Sequence, residues 1–338
     1  MDGQQLRVGV VGVGRMGADH ALRVHERTSG ARLVAVADPD LARAQRIAAS
    51  TGARACQDPF DVVAASDVDA LVIAAPGAAH EQLLLAAIER GVPVLCEKPL
   101  APDAGSALRI VEAEVARGRH LVQVGFMRRF DPEHVELKRV LDAQELGRAL
   151  LLHCQHRNAS SPPGFTTEML IQDSVVHEFD AIRWLLDAEI SAVTVQWPRS
   201  SANAPAHLVD PQVVAVETTT GVLADVEIFV NAGFGYQVRC EAVGEQGTAV
   251  IGAGAGVVTR RGGRRCTAVA ADFRDRFGAA FDRELQHWVH TARGGPVRGA
   301  ASAWDGYAAA AACEAGVQAQ RTGRRSEVRL VDRPDFYA

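Results

Sequence analysis

The sequence predicts an α/β protein: an N-terminal doubly wound parallel sheet, followed by a C-terminal α+β domain on an open, mostly antiparallel mixed sheet. Three observations predict it. Short apolar runs alternate with longer helical patterns over the first 125 residues, a glycine-rich turn separates the first run from the first helix, and after Asp131 the chain changes to β-branched segments joined by Gly or Asn/Asp turns.

In the first part, residues 6–11 form an apolar run, 16–29 a helical pattern, 33–37 a second run and 41–51 a second helix. The rhythm continues with a strand at 70–74, a helix at 80–90 stopped by Gly91, a strand at 94–96, a helix at 102–118 and a last strand at 121–125. A charged helix at 132–141 then leads into strands expected at 149–155, 193–197, 212–219, 222–231, 237–243 and 247–252, with Thr220-Gly221 as a hairpin turn. One strong helix, 174–186, interrupts them, and an Ala-rich helix at 300–322 is expected to pack back on other elements. Gly252-Ala253-Gly254-Ala255-Gly256 is followed by strand-like residues and reads as a turn. The expected domains are 1–125 and 126–338, without repeats or a low-complexity linker.

The length of 338 residues suits two domains. The charge sum, 36 Lys+Arg against 41 Asp+Glu, leaves −5 without a run of about five or six like charges, which argues against a nucleic-acid partner. The longest apolar stretches, such as 71–76 and 83–88, are far short of the roughly 18 residues that cross a bilayer, so no membrane partner is expected. The opening MDGQQLRVGVVGVG reads as a first strand rather than a secretion signal. Cys56, Cys96, Cys154, Cys240, Cys266 and Cys313 are scattered singly, the usage of a reduced compartment. A cytoplasmic location is the expectation.

Three motifs carry chemistry. Gly12-Val13-Gly14-Arg15-Met16-Gly17 lies between an apolar run and a helix, the context in which glycines let a backbone approach a pyrophosphate at a helix N-terminus. Asp38 ends the second run at the spacing where a carboxylate accepts from ribose hydroxyls and repels a 2′-phosphate, so NAD is expected rather than NADP. Cys96-Glu97-Lys98-Pro99 closes a parallel strand, where ligands of such sheets gather. Lys98 is one of only two lysines, with Lys138, and an ammonium, unlike a guanidinium, can trade a proton. Asp173-Ser174-Val175-Val176-His177-Glu178-Phe179-Asp180 opens the strong helix. Asp173 and His177, four apart, would share a helical face on which a carboxylate orients an imidazole base, with Asp180 beside them. A His–Asp pair, a strand-end lysine and a dinucleotide site together suit the oxidation of an alcohol. His153, His156 and His177 lack a Cys pair at zinc spacing, so no metal is expected.

These residues, with Gly125-Phe126-Met127-Arg128-Arg129-Phe130-Asp131, His156-Arg157-Asn158 and Cys240-Glu241-Ala242-Val243-Gly244, resemble the Gfo/Idh/MocA oxidoreductase family over nearly the whole chain, and within it the inositol 2-dehydrogenase branch. The resemblance implies a Rossmann domain for NAD and a second domain that binds substrate and forms homo-oligomer contacts, as a tetramer or else a dimer. It implies catalytic roles for Lys98, Asp173 and His177, and cofactor contacts from Gly12, Gly14, Arg15, Met16, Gly17, Asp38, Ala75, Pro76, His80, Glu97 and Lys98. Polyol contacts are implied for Lys98, Arg128, His156, Asn158, Asp173, His177 and Tyr236. Two stretches depart from the family pattern: Ala75-Pro76-Gly77-Ala78-Ala79-His80 replaces the usual Thr-Pro-Asn-x-x-His, and residues 159–165 are Ser/Pro-rich. The implied reaction is oxidation of a cyclitol hydroxyl, myo-inositol to 2-keto-myo-inositol. Another inositol isomer, an aminocyclitol or a pyranose is the neighbouring reading, and a non-catalytic NAD-binding regulator the distant one.

Overall fold

The computed structural model describes residues 5–252, 259–261 and 264–338. Most of the Gly252–Gly256 turn expected from the sequence lies outside them. The chain forms two units, one of Met1–Met127, Ala279–Ala310 and Val331–Ala338, the other of Arg128–Gly278 and Ala311–Leu330.

The first unit is a doubly wound sheet. Its strands are β1 (Leu6–Val11), β2 (Ala31–Ala37), β3 (Arg54–Cys56), β4 (Ala70–Ile73), β5 (Val94–Glu97) and β6 (Val122–Gly125). They pair in parallel in the order β6-β5-β4-β1-β2-β3, and the two-residue strand Ala301–Ser302 adds antiparallel to β6. The strand order reverses between β1 and β4, the switch point at whose carboxyl ends open α/β sheets bind ligands. β3 is an addition to the strands expected from sequence, too short to show alternation. Five helices connect the strands: α1 (Arg15–Glu26), α2 (Leu41–Thr51), α3 (Phe60–Val63), α4 (His80–Arg90) and α5 (Ala104–Arg117). Local chemistry sets their ends: Asp103 caps α5 by accepting from Ser106 N–H at 2.8 Å, and Gly91, at φ +78°, stops α4.

The second unit is a mixed sheet behind helices. α6 (Pro132–Asp142) leads to β7 (Ala149–Arg157), then α7 (Val176–Leu186), β8 (Ile190–Gln196), β9 (Gln212–Thr218), β10 (Leu223–Phe229), β11 (Gln237–Gly244) and β12 (Thr248–Ile251). The order is β12-β11-β7-β10-β9-β8, antiparallel except for the β7–β10 pair, with Ser326–Glu327 on the outer edge of β8. The β9–β10 hairpin turns at Gly221, whose φ of +83° suits glycine.

Two expectations are corrected here. The second half of the chain has a further long helix, α8 (Phe273–Ala292), as well as α9 (Ala303–Thr322). Leu285, Trp288 and Val289 of α8, at helical spacing, pack in the first unit's core with Val8, Val10, Val24 and Val36. Their burial takes residues 279–310 into that unit. In addition, the segment read as one α-helix from residue 174 begins with a π-helical turn, Leu170–Val175, in which Val176 N–H reaches back to the Ile171 carbonyl. The C-terminal half of α9 packs on this turn: a Cβ at Gly316 would stand 2.8 Å from Ile171 Cγ2, and the Cys313 thiol donates to the Ile171 carbonyl at 3.7 Å.

Candidate active site

The carboxyl ends of β1, β2 and β4 enclose a cleft of about 560 Å³, lined by Gly12, Gly14, Asp38, Pro39, Asp40, Arg43, Pro59, Ala75, Pro76 and neighbours. The three fingerprint glycines sit in different surroundings. Gly12 sits at φ +82°, and a Cβ there would meet the Ala75 nitrogen at 2.7 Å. A Cβ on Gly17 would stand 1.7 Å from the Gly12 carbonyl oxygen, so glycine is what lets α1 lie against the end of β1. Around Gly14 a Cβ would meet nothing within 4 Å, which leaves its backbone open to an approaching group. Arg15 and Met16 begin α1, whose unsatisfied N–H groups favour an anion there.

Asp38 is buried and held by the loop itself: Oδ2 accepts from Val13 N–H and Oδ1 from Asp40 N–H, each at 2.9 Å. These bonds fix the carboxylate at the cleft wall and keep lone pairs for ribose hydroxyls. An open backbone cradle, a helix N-terminus and a carboxylate on one wall fit a dinucleotide with an unphosphorylated adenosine ribose.

His80 is buried behind Ala75 and Pro76. Its Nε2 lies 2.8 Å from the Ala75 oxygen and its Nδ1 2.9 Å from the Pro99 oxygen, so one ring ties the loop after β4 to the loop after β5. Burial lowers its pKa. His80 is thus a brace for the cleft wall, while Ala75 and Pro76 line the cleft.

At the end of β5, Glu97 is buried and its Oε1 lies 2.7 Å from Nε2 of His20, a residue of α1. Its Oε2 accepts from Lys98 N–H at 3.2 Å. Burial works against the Glu97 charge, but the His20 bond and then the Lys98 charge hold its pKa below the ordinary value. The carboxylate therefore anchors the backbone that presents Lys98. Sequence reasoning missed His20; its signal was its place on the apolar stripe of α1 with Gly17, Ala21 and Val24.

In the second unit, Arg128, His156, His177, Glu178 and Tyr236 are buried together. The guanidinium of Arg128 pairs with Glu178 and lies 3.3 Å from His156 Nδ1, which is 3.2 Å from Glu178 Oε2. Burial opposes the Glu178 charge, and Arg128 followed by His156 outweighs it, so its pKa is lowered. The His156 ring centre is 6.4 Å from that of His177 and 5.8 Å from that of Tyr236. Burial raises the Tyr236 pKa, leaving a neutral hydroxyl. Asn158 follows β7 and is half-buried, its N–H donating to the Phe229 carbonyl at 2.9 Å.

Asp173 is half-buried on the π-helical turn, so the segment from it to His177 is not one continuous α-helix. Asp180 is engaged by Arg129 in a buried two-pronged bridge at 2.6 and 3.0 Å, a brace for α7. Glu178, present in the motif but given no part there, contacts both Arg128 and His156. Among the described residues, no group of three or more His, Cys, Asp or Glu side chains is placed to hold a metal ion, and no helix is long and apolar enough to cross a membrane.

Residues 6–126 match the model of the Gfo/Idh/MocA oxidoreductase family, NAD-binding Rossmann fold, and residues 134–250 that of the Gfo/Idh/MocA C-terminal domain. The chain is 65% identical to inositol 2-dehydrogenase 4 of Saccharopolyspora erythraea, covering 100% of both chains. It is 55% identical to inositol 2-dehydrogenase of Streptomyces avermitilis, over 99% of this chain and 97% of that one. Among solved structures, it is similar to myo-inositol dehydrogenase from Lactobacillus casei in complex with NAD(H) and myo-inositol, with a TM-score of 0.95 and 33% identity over 99% of this chain and 100% of that one.

Proposed function

The chain belongs to the Gfo/Idh/MocA oxidoreductase family, and from that premise we propose that it is an NAD-dependent inositol dehydrogenase, oxidising a cyclitol ring hydroxyl to the ketone. The observation that carries this reading is the end-to-end 65% identity to an inositol 2-dehydrogenase. The first substrate to test is myo-inositol, with 2-keto-myo-inositol as product.

When bound, NAD supplies the acceptor for the hydride that leaves the carbinol carbon. The other roles fall to this chain's residues. Asp38 accepts from the ribose hydroxyls, the N-terminus of α1 faces the pyrophosphate, and Gly12, Gly14, Gly17, Ala75 and Pro76 shape the cleft around it. Lys98, anchored through Glu97, hydrogen-bonds the reacting oxygen and stabilises the charge that grows there. His177, with Asp173 as its orienting carboxylate, takes the hydroxyl proton. Arg128, His156, Asn158 and Tyr236 hold the remaining hydroxyls. The Arg128–Glu178 pairing suits a neutral polyol, because it balances the buried guanidinium charge within the protein.

The partner reading is a homo-oligomer, tetramer before dimer, supported by family membership and tested by light scattering of the purified protein. A cytoplasmic location is supported by six scattered cysteines without a paired motif. The deciding assay follows reduced nicotinamide formation with NAD and myo-inositol, scyllo-inositol, D-chiro-inositol or glucose, beside Lys98→Ala. Turnover of an inositol that is lost in Lys98→Ala is expected. Binding of NAD without turnover of any polyol would overturn the reading.

A further inference from the structure

Two charges besides Asp38 line the dinucleotide cleft, Asp40 and Arg43. Asp40 Oδ2 lies 3.2 Å from Arg43 Nε, with both side chains half exposed. Asp40 is also the N-cap of α2, its Oδ1 accepting from Ala42 N–H at 3.2 Å, and its own N–H is the one held by Asp38. Arg43 is the one cation among the described residues that line this cleft.

A half-exposed ion pair adds little to stability. Its effect on a charged ligand is another matter, because it sets the sign of the field at the cleft mouth. Asp38, Asp40 and Arg43 together present a net negative charge. The guanidinium is paired through Nε with the Asp40 carboxylate, so a phosphate on the adenosine ribose would meet two carboxylates and one shared cation. Without the Asp40 charge the same arginine would be available to it.

We propose that Asp40 is a second determinant of cofactor choice, which excludes a 2′-phosphorylated dinucleotide by engaging Arg43. Asp38 addresses the ribose hydroxyls directly; Asp40 acts through the arginine. The proposal rests on the NAD reading above.

The test is a fluorescence titration of NADH and NADPH against the full chain and its Asp40→Asn, Arg43→Ala and double variants. Asparagine caps a helix as well as aspartate does, so Asp40→Asn removes the charge and keeps the cap. The expected result is a rise of roughly tenfold in the NADPH-to-NADH affinity ratio of Asp40→Asn, a return toward the original ratio in the double variant, and a gain that shrinks as salt is added. A ratio in Asp40→Asn within about twofold of the parent would overturn the proposal, as would a rise that persists without Arg43. Failure of every protein to bind either nucleotide would instead remove the dinucleotide reading itself, and the proposal with it.

Discussion

His20 and Glu97 form a buried pair, Nε2 to Oε1 at 2.7 Å, whose other carboxylate oxygen accepts from the backbone N–H of Lys98. The pair connects the helix that follows the glycine-rich turn to the backbone that presents the proposed catalytic lysine. His20→Ala leaves a buried carboxylate without its partner, a change that costs on the order of 3 kcal/mol. If the pair positions Lys98, kcat falls by about tenfold or more while NADH affinity changes less. Equal loss in both would mean that His20 acts on the fold alone.

The pH dependence of that pair has a definite sign. The pKa of Glu97 is lowered in the folded protein. Its contribution to stability is therefore present above the ordinary carboxyl value of about 4.3 and is lost as pH falls through the lower native value. Thermal unfolding of the parent and Glu97→Gln should differ at neutral pH and converge in acid. A gap that stays constant to low pH would contradict the assignment.

Asp131 offers a second acid-sensitive contact, within the other unit. It accepts from His134 at 2.6 Å and from Arg276 at 2.8 and 3.2 Å, and despite its burial these partners lower its pKa to about 2. That shift corresponds to roughly 2 kcal/mol of stability, complete above an unfolded value near 4 and lost toward pH 2. Denaturant titration of Asp131→Asn at pH 7 is expected to show a loss of that size.

Gly14 and Gly17 should respond oppositely to alanine. At Gly17 the new Cβ would stand 1.7 Å from a backbone oxygen, so the end of β1 and α1 must separate, at a cost on the order of 3 kcal/mol. At Gly14 there is room, and the fold should retain its melting temperature. The methyl would still face the approaching dinucleotide, so NADH affinity in Gly14→Ala is expected to fall at least tenfold. Unchanged affinity would remove Gly14 from the site.

If His177 takes the proton, kcat/KM for the inositol should rise with pH as that group loses its own proton, and His177→Ala should lower turnover by about 10²–10⁴-fold. A flat profile or undiminished turnover would exclude that role.

The sequence by itself determined the doubly wound sheet, the mixed second sheet, the glycine cradle and Asp38. Each is written in local terms: apolar period, turn residues and a short fixed spacing carry the information, and backbone geometry makes them legible. What only the tertiary structure decided involves partners distant in sequence. Residues 279–310 join the first unit because Leu285, Trp288 and Val289 fill its core, an outcome that depends on which apolar face is open to them. His20 meets Glu97 across 77 positions, and His156 meets Glu178 across 22. The π-helical turn that carries Asp173 packs against α9, where Gly316 and Cys313 lie close to Ile171. A buried charge takes its meaning from the group placed opposite it, and that placement comes from the packing of side chains.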